Sequence, residues 1–382
     1  MGFYRRIGDV PLKRHTRSAQ YEELMGQEGF SSSSSLLYHR HSPSAIVAAA
    51  EAGISRPELS PDVALRPWHL RAPALPGGGD LVTGRQLLFG NRNVTIAWAA
   101  AAEASALYRN AAGDELLYVQ SGAGVLESVF GPLVVGPGDY VVVPASTIHR
   151  WVVSGDRPLC ALVVEATGHV APPARYLSST GQFLEHAPYC ERDLRGPAEP
   201  LLCEGTDVPV LVRHRSGWAL HTHAQHPFDV VGWDGCVYPY ALSIHDFEPI
   251  VGRVHQPPPV HQTFAGPGFV VCSFVPRLFD WHPDAVKVPY HHANTDSDEV
   301  LFYSGGDFMS RRGAGIGEGS LTLHPAGFVH GPQPGSAEAA AGKDRTDELA
   351  VMIDTFEPLL LSEAARRVAD PDYPLTWNRA PS

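Results

Sequence analysis

The chain has 382 residues, with 29 basic against 41 acidic side chains and a formal charge of −12. That balance excludes the basic footprint a nucleic-acid partner needs, and no apolar run is long enough to span a bilayer. Punctuation by 37 Gly and 34 Pro excludes a helix-rich fold, and the length suits two all-β cores better than one.

Taken in chain order, residues 1–80 read as an N-terminal arm and lead-in. The opening Met-Gly-Phe-Tyr-Arg-Arg lacks an apolar stretch behind its arginines, so secretion is not expected. Ser31 to Ser35 has the composition of a flexible linker, but Leu36-Leu37-Tyr38 follows at once and favours an ordered arm packed on the body. Residues 81–170 read as a first barrel, with strand-like runs at 131–136 and 140–143. Residues 171–208, with the breakers Pro172-Pro173, read as a connector. A second barrel with a C-terminal helix fills 209–382. Within it, His221 and His223 form a His-x-His pair that reads as part of a surface strand. The segment 256–262 is too Pro-rich for a central strand and is expected to lie across the barrel mouth as a stiff extended segment. Residues 337–343 read as an exposed loop, and 358–369 as a helix with Leu359, Leu360, Ala364 and Val368 on its apolar face. Cysteines 160, 190, 203, 236 and 272 form no Cys-x-x-Cys pair and read as reduced thiols of a cytoplasmic protein.

One motif occurs twice. In the second half it runs His292-x-Asn294-(x4)-Glu299, then Gly319, Pro325 and His330. In the first it runs Tyr108-x-Asn110-(x4)-Glu115, then Gly138, Pro144 and His149 at the same offsets. Two imidazoles and one carboxylate on one face of a metal leave the opposite positions open, the usual seat of non-haem Fe(II) in oxygenases. His292 and Glu299 have an odd separation, which would put them on opposite faces of one continuous strand. Residues 294–298, Asn-Thr-Asp-Ser-Asp, must therefore turn, and their composition is that of a turn. Tyr108 stands where the second copy has His292, so the first barrel is expected to hold no metal.

The repeated motif is the bicupin signature, and the chain resembles the homogentisate 1,2-dioxygenase family, of the shorter bacterial kind, along nearly its full length. The resemblance is carried by Gly-Phe-Ser-Ser-Ser-Ser-Ser-Leu-Leu-Tyr-His at 29–39, Asp-Val-Val-Gly-Trp-Asp-Gly at 229–235, Val-Pro-Tyr-His-His-Ala-Asn at 288–294, His-Gly-Pro at 330–332 and the tail around Trp377. It implies an all-β bicupin of two jelly-roll barrels, with Fe(2+) on His292, Glu299 and His330. It implies ring cleavage of homogentisate by O2 to maleylacetoacetate, in tyrosine and phenylalanine catabolism. It also implies a homo-oligomer, a trimer or a hexamer built from trimers. Fold alone does not license an activity, so two alternatives stay open: a cupin dioxygenase for another phenol such as gentisate or a secondary metabolite, and a non-catalytic bicupin that binds a small molecule.

Further residues carry alternatives of their own. Asn294 either hydrogen-bonds substrate or oxygen, or serves the turn. Tyr290 either presents its hydroxyl to substrate or packs the barrel wall. His324 lies six residues before His330, a spacing the family shares, and is a candidate proton carrier behind the ligands. Better-known family members have a histidine after Gly-Trp that handles the phenol proton, and here the position is Asp234. Either Asp234 accepts that proton, its pKa raised by burial, or it orients His255 or His261, which does so. An aromatic hydroxyl of those members aligns with Phe308, so the usual ring-hydroxyl contact is missing. Arg277 and Arg253 are candidates for a substrate carboxylate, or else salt-bridge partners. No Walker loop or dinucleotide fingerprint is present.

Overall fold

A computed structural model describes residues 3–16, 19–311 and 313–378. Its architecture is an all-β bicupin. In the first half, strand Glu115–Ser121 runs antiparallel between Asp139–Val143 and Leu159–Ala166, and Leu159–Ala166 pairs in turn with Val94–Ala101. The second half repeats this order, with Asp298–Gly305 between Ser320–His324 and Leu349–Thr355, and Phe269–Phe274 beyond. The repeat extends to register. Glu115 lies opposite Val143 on one side and Glu165 on the other, whereas Glu299 lies opposite His324 and Asp354.

These central strands are buried on both faces, which is why they read as near-continuous apolar runs. Successive side chains alternate between the faces. Leu116 and Tyr118 enter the large core shared by the two halves, while Leu117 and Val119 enter a second core inside the first barrel. In the second half, Val300, Phe302, Leu321, Leu323, Val351 and Ile353 face the shared core. By the same alternation the opposite face carries Glu299, Tyr303, Thr322, His324 and Asp354. That face also carries Leu301 and Met352, so the second barrel is lined by polar and apolar groups together, whereas the first is filled mostly by Val, Leu and Ala.

Strand pairing runs across the domain boundaries expected from sequence. Thr206–His214 pairs in parallel with Tyr108–Asn110, and Gly217–Gln225 and Ile46–Glu51 extend that sheet of the first half. Trp68–Arg71, from the lead-in, completes the second half's sheet beside Ser320–His324. Leu360–Ser362, from the tail, pairs with Gln86–Gly90 of the first half. The arm is ordered: Tyr21–Gly26, Ser34–His39, Val230–Gly235 and Arg5–Gly8 form a four-stranded sheet with Leu37 and Trp233 buried beneath it.

Three local expectations change. The helix expected over 358–369 is confined to Glu363–Arg367, because Leu360 and Leu361 are used by the strand. Ser362 then caps the helix, its hydroxyl accepting from Ala365 N at 3.1 Å. The loop expected at 337–343 includes a short helix, Ser336–Ala340, anchored by buried Ser336 and Ala340. The Pro-rich segment forms a 3-10 turn, Pro258–His261, on the wall of a cavity. Among the described residues, no helix is long and apolar enough to cross a membrane.

Candidate metal centre and cavity

His292, Glu299 and His330 come together, with their ligand atoms all within 4.8 Å of one another. Residues 294–298 make the turn their composition requires, and the chain on either side of it carries His292 and Glu299 to one place. His292 and His330 face each other as an antiparallel backbone bridge, with hydrogen bonds of 2.8 Å in both directions. Each ring has its Nδ1 near a carbonyl two residues back, His292 to Tyr290 O at 3.1 Å and His330 to Phe328 O at 3.0 Å. A ring that donates there would have its Nε2 lone pair free for a metal ion. Nε2 of His330 lies 3.1 Å from Glu299 Oε1, and that of His292 lies 3.5 Å from Oε2. Burial alone would raise the Glu299 pKa, but the imidazoles of His292, His324 and His330 hold it well below the ordinary carboxylate range.

Behind the triad stands His324, fully buried and stacked on His330 with ring centroids 4.0 Å apart. Its Nδ1 meets Glu299 Oε1 at 3.0 Å and its Nε2 meets the Tyr373 hydroxyl at 3.0 Å. Burial takes its pKa down to about 3. A neutral ring donating to Glu299 and accepting from Tyr373 satisfies both contacts. Thr376 and Trp377, from the same C-terminal turn, bond Gln333 and the Gly331 carbonyl at 2.9 and 3.1 Å. That turn clamps the segment that carries His330.

The first barrel shows what the triad is built for. Arg85 donates to both oxygens of Glu115 at 2.9 Å, and Tyr108 OH donates to Oε1 at 2.7 Å. Burial would raise the Glu115 pKa, but the guanidinium overrides it and holds the carboxyl at about 2. Glu165, next in register, is paired with Arg85 and Arg213. Buried Glu115 and half-buried Glu165 therefore meet two guanidinium groups. In the second barrel the equivalent acids are Glu299, which meets three imidazoles, and Asp354, 3.4 Å from the Asn294 amide, with no guanidinium bonded to either among the described residues. Burial, with Glu299 adding to it, raises the Asp354 pKa to about 7. Arg85 thus occupies both oxygens of Glu115, whereas Glu299 faces Nε2 of His292 and of His330. That donor set fits a divalent cation, which His292, Glu299 and His330 would hold.

The open side leads into a cavity of about 310 Å³. His292, Asn294, Glu299 and Asp354 line it together with apolar Val260, Leu301 and Met352, and with His255, His261 and Arg277. Among the expected site residues, Tyr290 lies at the exposed mouth, its ring edge-on to His255 and His292 at 5.3 and 6.1 Å. Asn294 lines the cavity, and its backbone carbonyl accepts from Gly327 N at 2.6 Å. Asp234 is the correction. It sits on Val230–Gly235 in the arm sheet, where its carboxylate is bound by Arg14, and it does not line the cavity. The Gly-Trp-Asp strand needs Trp233 in the core, where its indole donates to Phe130 O at 2.8 Å. Alternation then sends Asp234 to the arm. Phe308 packs against Tyr303 at 5.1 Å, outside the cavity lining. His221 and His223 lie on Gly217–Gln225 in the first half's sheet, with no part in the triad.

Asp354, Tyr373, Arg85 and Arg311 were missed from sequence. Asp354 had a signal, being a lone acid late in an apolar strand, as Glu165 is in the first half. Arg311, which reaches the Tyr303 hydroxyl at 3.2 Å and the Gly331 carbonyl, had none.

The fold defines a bicupin whose second barrel brings together, among the described residues, one group of side chains able to hold a metal ion. Residues 99–165 match the model of the cupin domain. The chain is 40% identical over 386 residues to a protein of Saccharolobus solfataricus named "Putative dioxygenase SSO1533", covering 99% of both chains. It belongs to the same family as this archaeal protein. Homogentisate 1,2-dioxygenases are more distant: that of Caenorhabditis elegans is 26% identical over 70% of this chain, and that of Rhodopseudomonas palustris (strain BisA53) 27% over 71%. The matched part spans 60% and 62% of those relatives' own lengths.

Proposed function

We propose that the chain is an Fe(II)-dependent dioxygenase that opens the ring of a phenolic acid, with homogentisate as substrate, O2 as co-substrate and maleylacetoacetate as product. The observation that carries this reading is a donor set of two histidines and one carboxylate whose open side faces a cavity sized for a small aromatic molecule. The names of the relatives at 40% and about 26% identity support it. A ferrous ion held there would orient a phenolate and O2 and let electron density pass between them. Both oxygen atoms enter the product, so no external reductant is needed.

The chain's own groups do the remaining work. Val260, Leu301 and Met352 exclude water around the ring. His255 takes the proton-accepting role for the phenol, since it lines the cavity with its Nδ1 3.3 Å from Asp280, and Asp234 does not. His261 is a poorer base, because burial and the Arg277 cation press its pKa down to about 3. A second reading, another phenolic acid such as gentisate, is favoured by the position of Phe308 away from the cavity.

The test is anaerobic loading with Fe(II), followed by oxygen uptake with homogentisate. We expect one O2 consumed per substrate, stopped by a chelator. Uptake with gentisate and none with homogentisate would install the second reading. Iron-loaded protein that consumes no oxygen with any phenolic acid would leave only a binding role.

A further inference from the structure

Three cations line the cavity, and two are already committed. Arg311 donates to the Tyr303 hydroxyl and the Gly331 carbonyl, and Lys287 Nζ donates to Asp280 O at 2.6 Å. Arg277 is different. It gives one N–H to Val275 O at 3.0 Å, and its nearest carboxylate, Glu348, lies 3.8 Å away, beyond hydrogen-bonding distance. Its side chain is only 20% exposed. The guanidinium is 5.6 Å from the centre of the Phe274 ring, which carries the His261 ring on it at 4.7 Å. A desolvated guanidinium without a bidentate partner is costly, and a planar carboxylate satisfies it with two parallel N–H bonds.

We infer that Arg277 is the seat of the substrate's carboxylate, so that an aromatic acid is held by its acid group at Arg277 while its ring oxygen reaches the His292–Glu299 side of the same cavity. This rests on the cavity being the substrate site, as in the proposed function. Glu348 narrows the ligand class. A buried acid 3.8 Å from the guanidinium repels the second charge of a phosphate, which favours a singly charged carboxylate. It also competes for Arg277 when no ligand is bound. Arg253, the other arginine singled out in the sequence, is exposed and does not line the cavity.

The test compares 2-hydroxyphenylacetate with its neutral amide, 2-hydroxyphenylacetamide, by calorimetric titration into anaerobic full-length protein. The two probes share ring and hydroxyl and differ only in charge. The wild type should bind the acid at least about tenfold more tightly than the amide. Arg277→Gln should bring the two affinities together, Arg277→Lys should restore part of the gap, and Glu348→Gln should widen it by freeing the guanidinium. An Arg277→Gln protein with an unchanged melting temperature that still prefers the acid would overturn the assignment. So would a wild type that does not distinguish the probes. If the acid preference depends on Arg277 but no phenol supports oxygen uptake, the dioxygenase reading fails and the carboxylate seat stands.

Discussion

Glu115 and Glu299 occupy one position in two copies of one barrel, and their neighbours give them different work. Glu115 is closed off by Arg85 and Tyr108, whereas Glu299 meets three imidazoles. His292→Ala or His330→Ala should abolish metal retention, because each removes one of three donors, and Glu299→Gln should weaken it. Metal content after desalting measures this, and a His292→Ala protein with full occupancy would refute the triad. In the first barrel, Arg85→Met strands the Glu115 carboxylate in an apolar interior, a loss of about 3–5 kcal/mol for an opened buried pair. Thermal melting should show a large drop while the metal content of the second barrel stays unchanged. Both expectations follow from one rule, that a buried acid needs a cation, which Arg85 supplies to Glu115 and a bound metal would supply to Glu299.

Two elements packed onto the barrels carry their own tests. The C-terminal turn places Tyr373 against His324, and through it Glu299. Tyr373→Phe should lower metal affinity about tenfold or more, the usual cost of losing an outer hydrogen bond to a ligand, while leaving the fold intact. Titration with a chelator would show it, and unchanged affinity would reduce the turn to packing. In the arm, His39 Nδ1 bonds Asp229 at 2.6 Å and its Nε2 bonds Glu23 at 3.0 Å. Burial opposes protonation, but the two carboxylates raise the His39 pKa to about 9. The folded value lies above the unfolded one of about 6.5, so the stabilisation is fully present below pH 6.5 and is lost as pH rises through about 9. The effect is on the order of 3 kcal/mol. Hydrogen exchange along Ser34–His39 should accelerate over that window in the wild type, with no such step in His39→Gln.

At the scale of the molecule, the halves are laced together. Trp98 of the first half and Phe302 of the second are 5.6 Å apart in the shared core, and Tyr118 OH meets Ser304 Oγ at 2.6 Å. Each half also borrows a strand from the far side of the chain. Residues 209–382 expressed alone would lack Trp68–Arg71 and leave the edge of Ser320–His324 open, with Phe302 and Val300 uncovered. That fragment should fail to fold, and the full chain should melt in one transition by circular dichroism. A stable, metal-binding fragment would show that the second barrel is self-sufficient.

The grouping of His292, Glu299 and His330 was legible in the sequence because they belong to a local pattern: a turn, a strand and a return, written twice, with a histidine missing from one copy. The all-β class was legible for a similar reason, since alternation and Gly/Pro punctuation act over a few residues. Three things were settled only by the folded chain. Asp234, third residue of the Gly-Trp-Asp block but bound to Arg14 in space, was sent to the arm by the burial of Trp233. Arg85 reached Glu115 from thirty residues away. Trp68–Arg71 and Leu360–Ser362 were each taken up by the half opposite in sequence. In every case the partner is chosen by which apolar face must be covered and which buried charge must be met. Those demands act between segments far apart in the chain, where no local spacing records them.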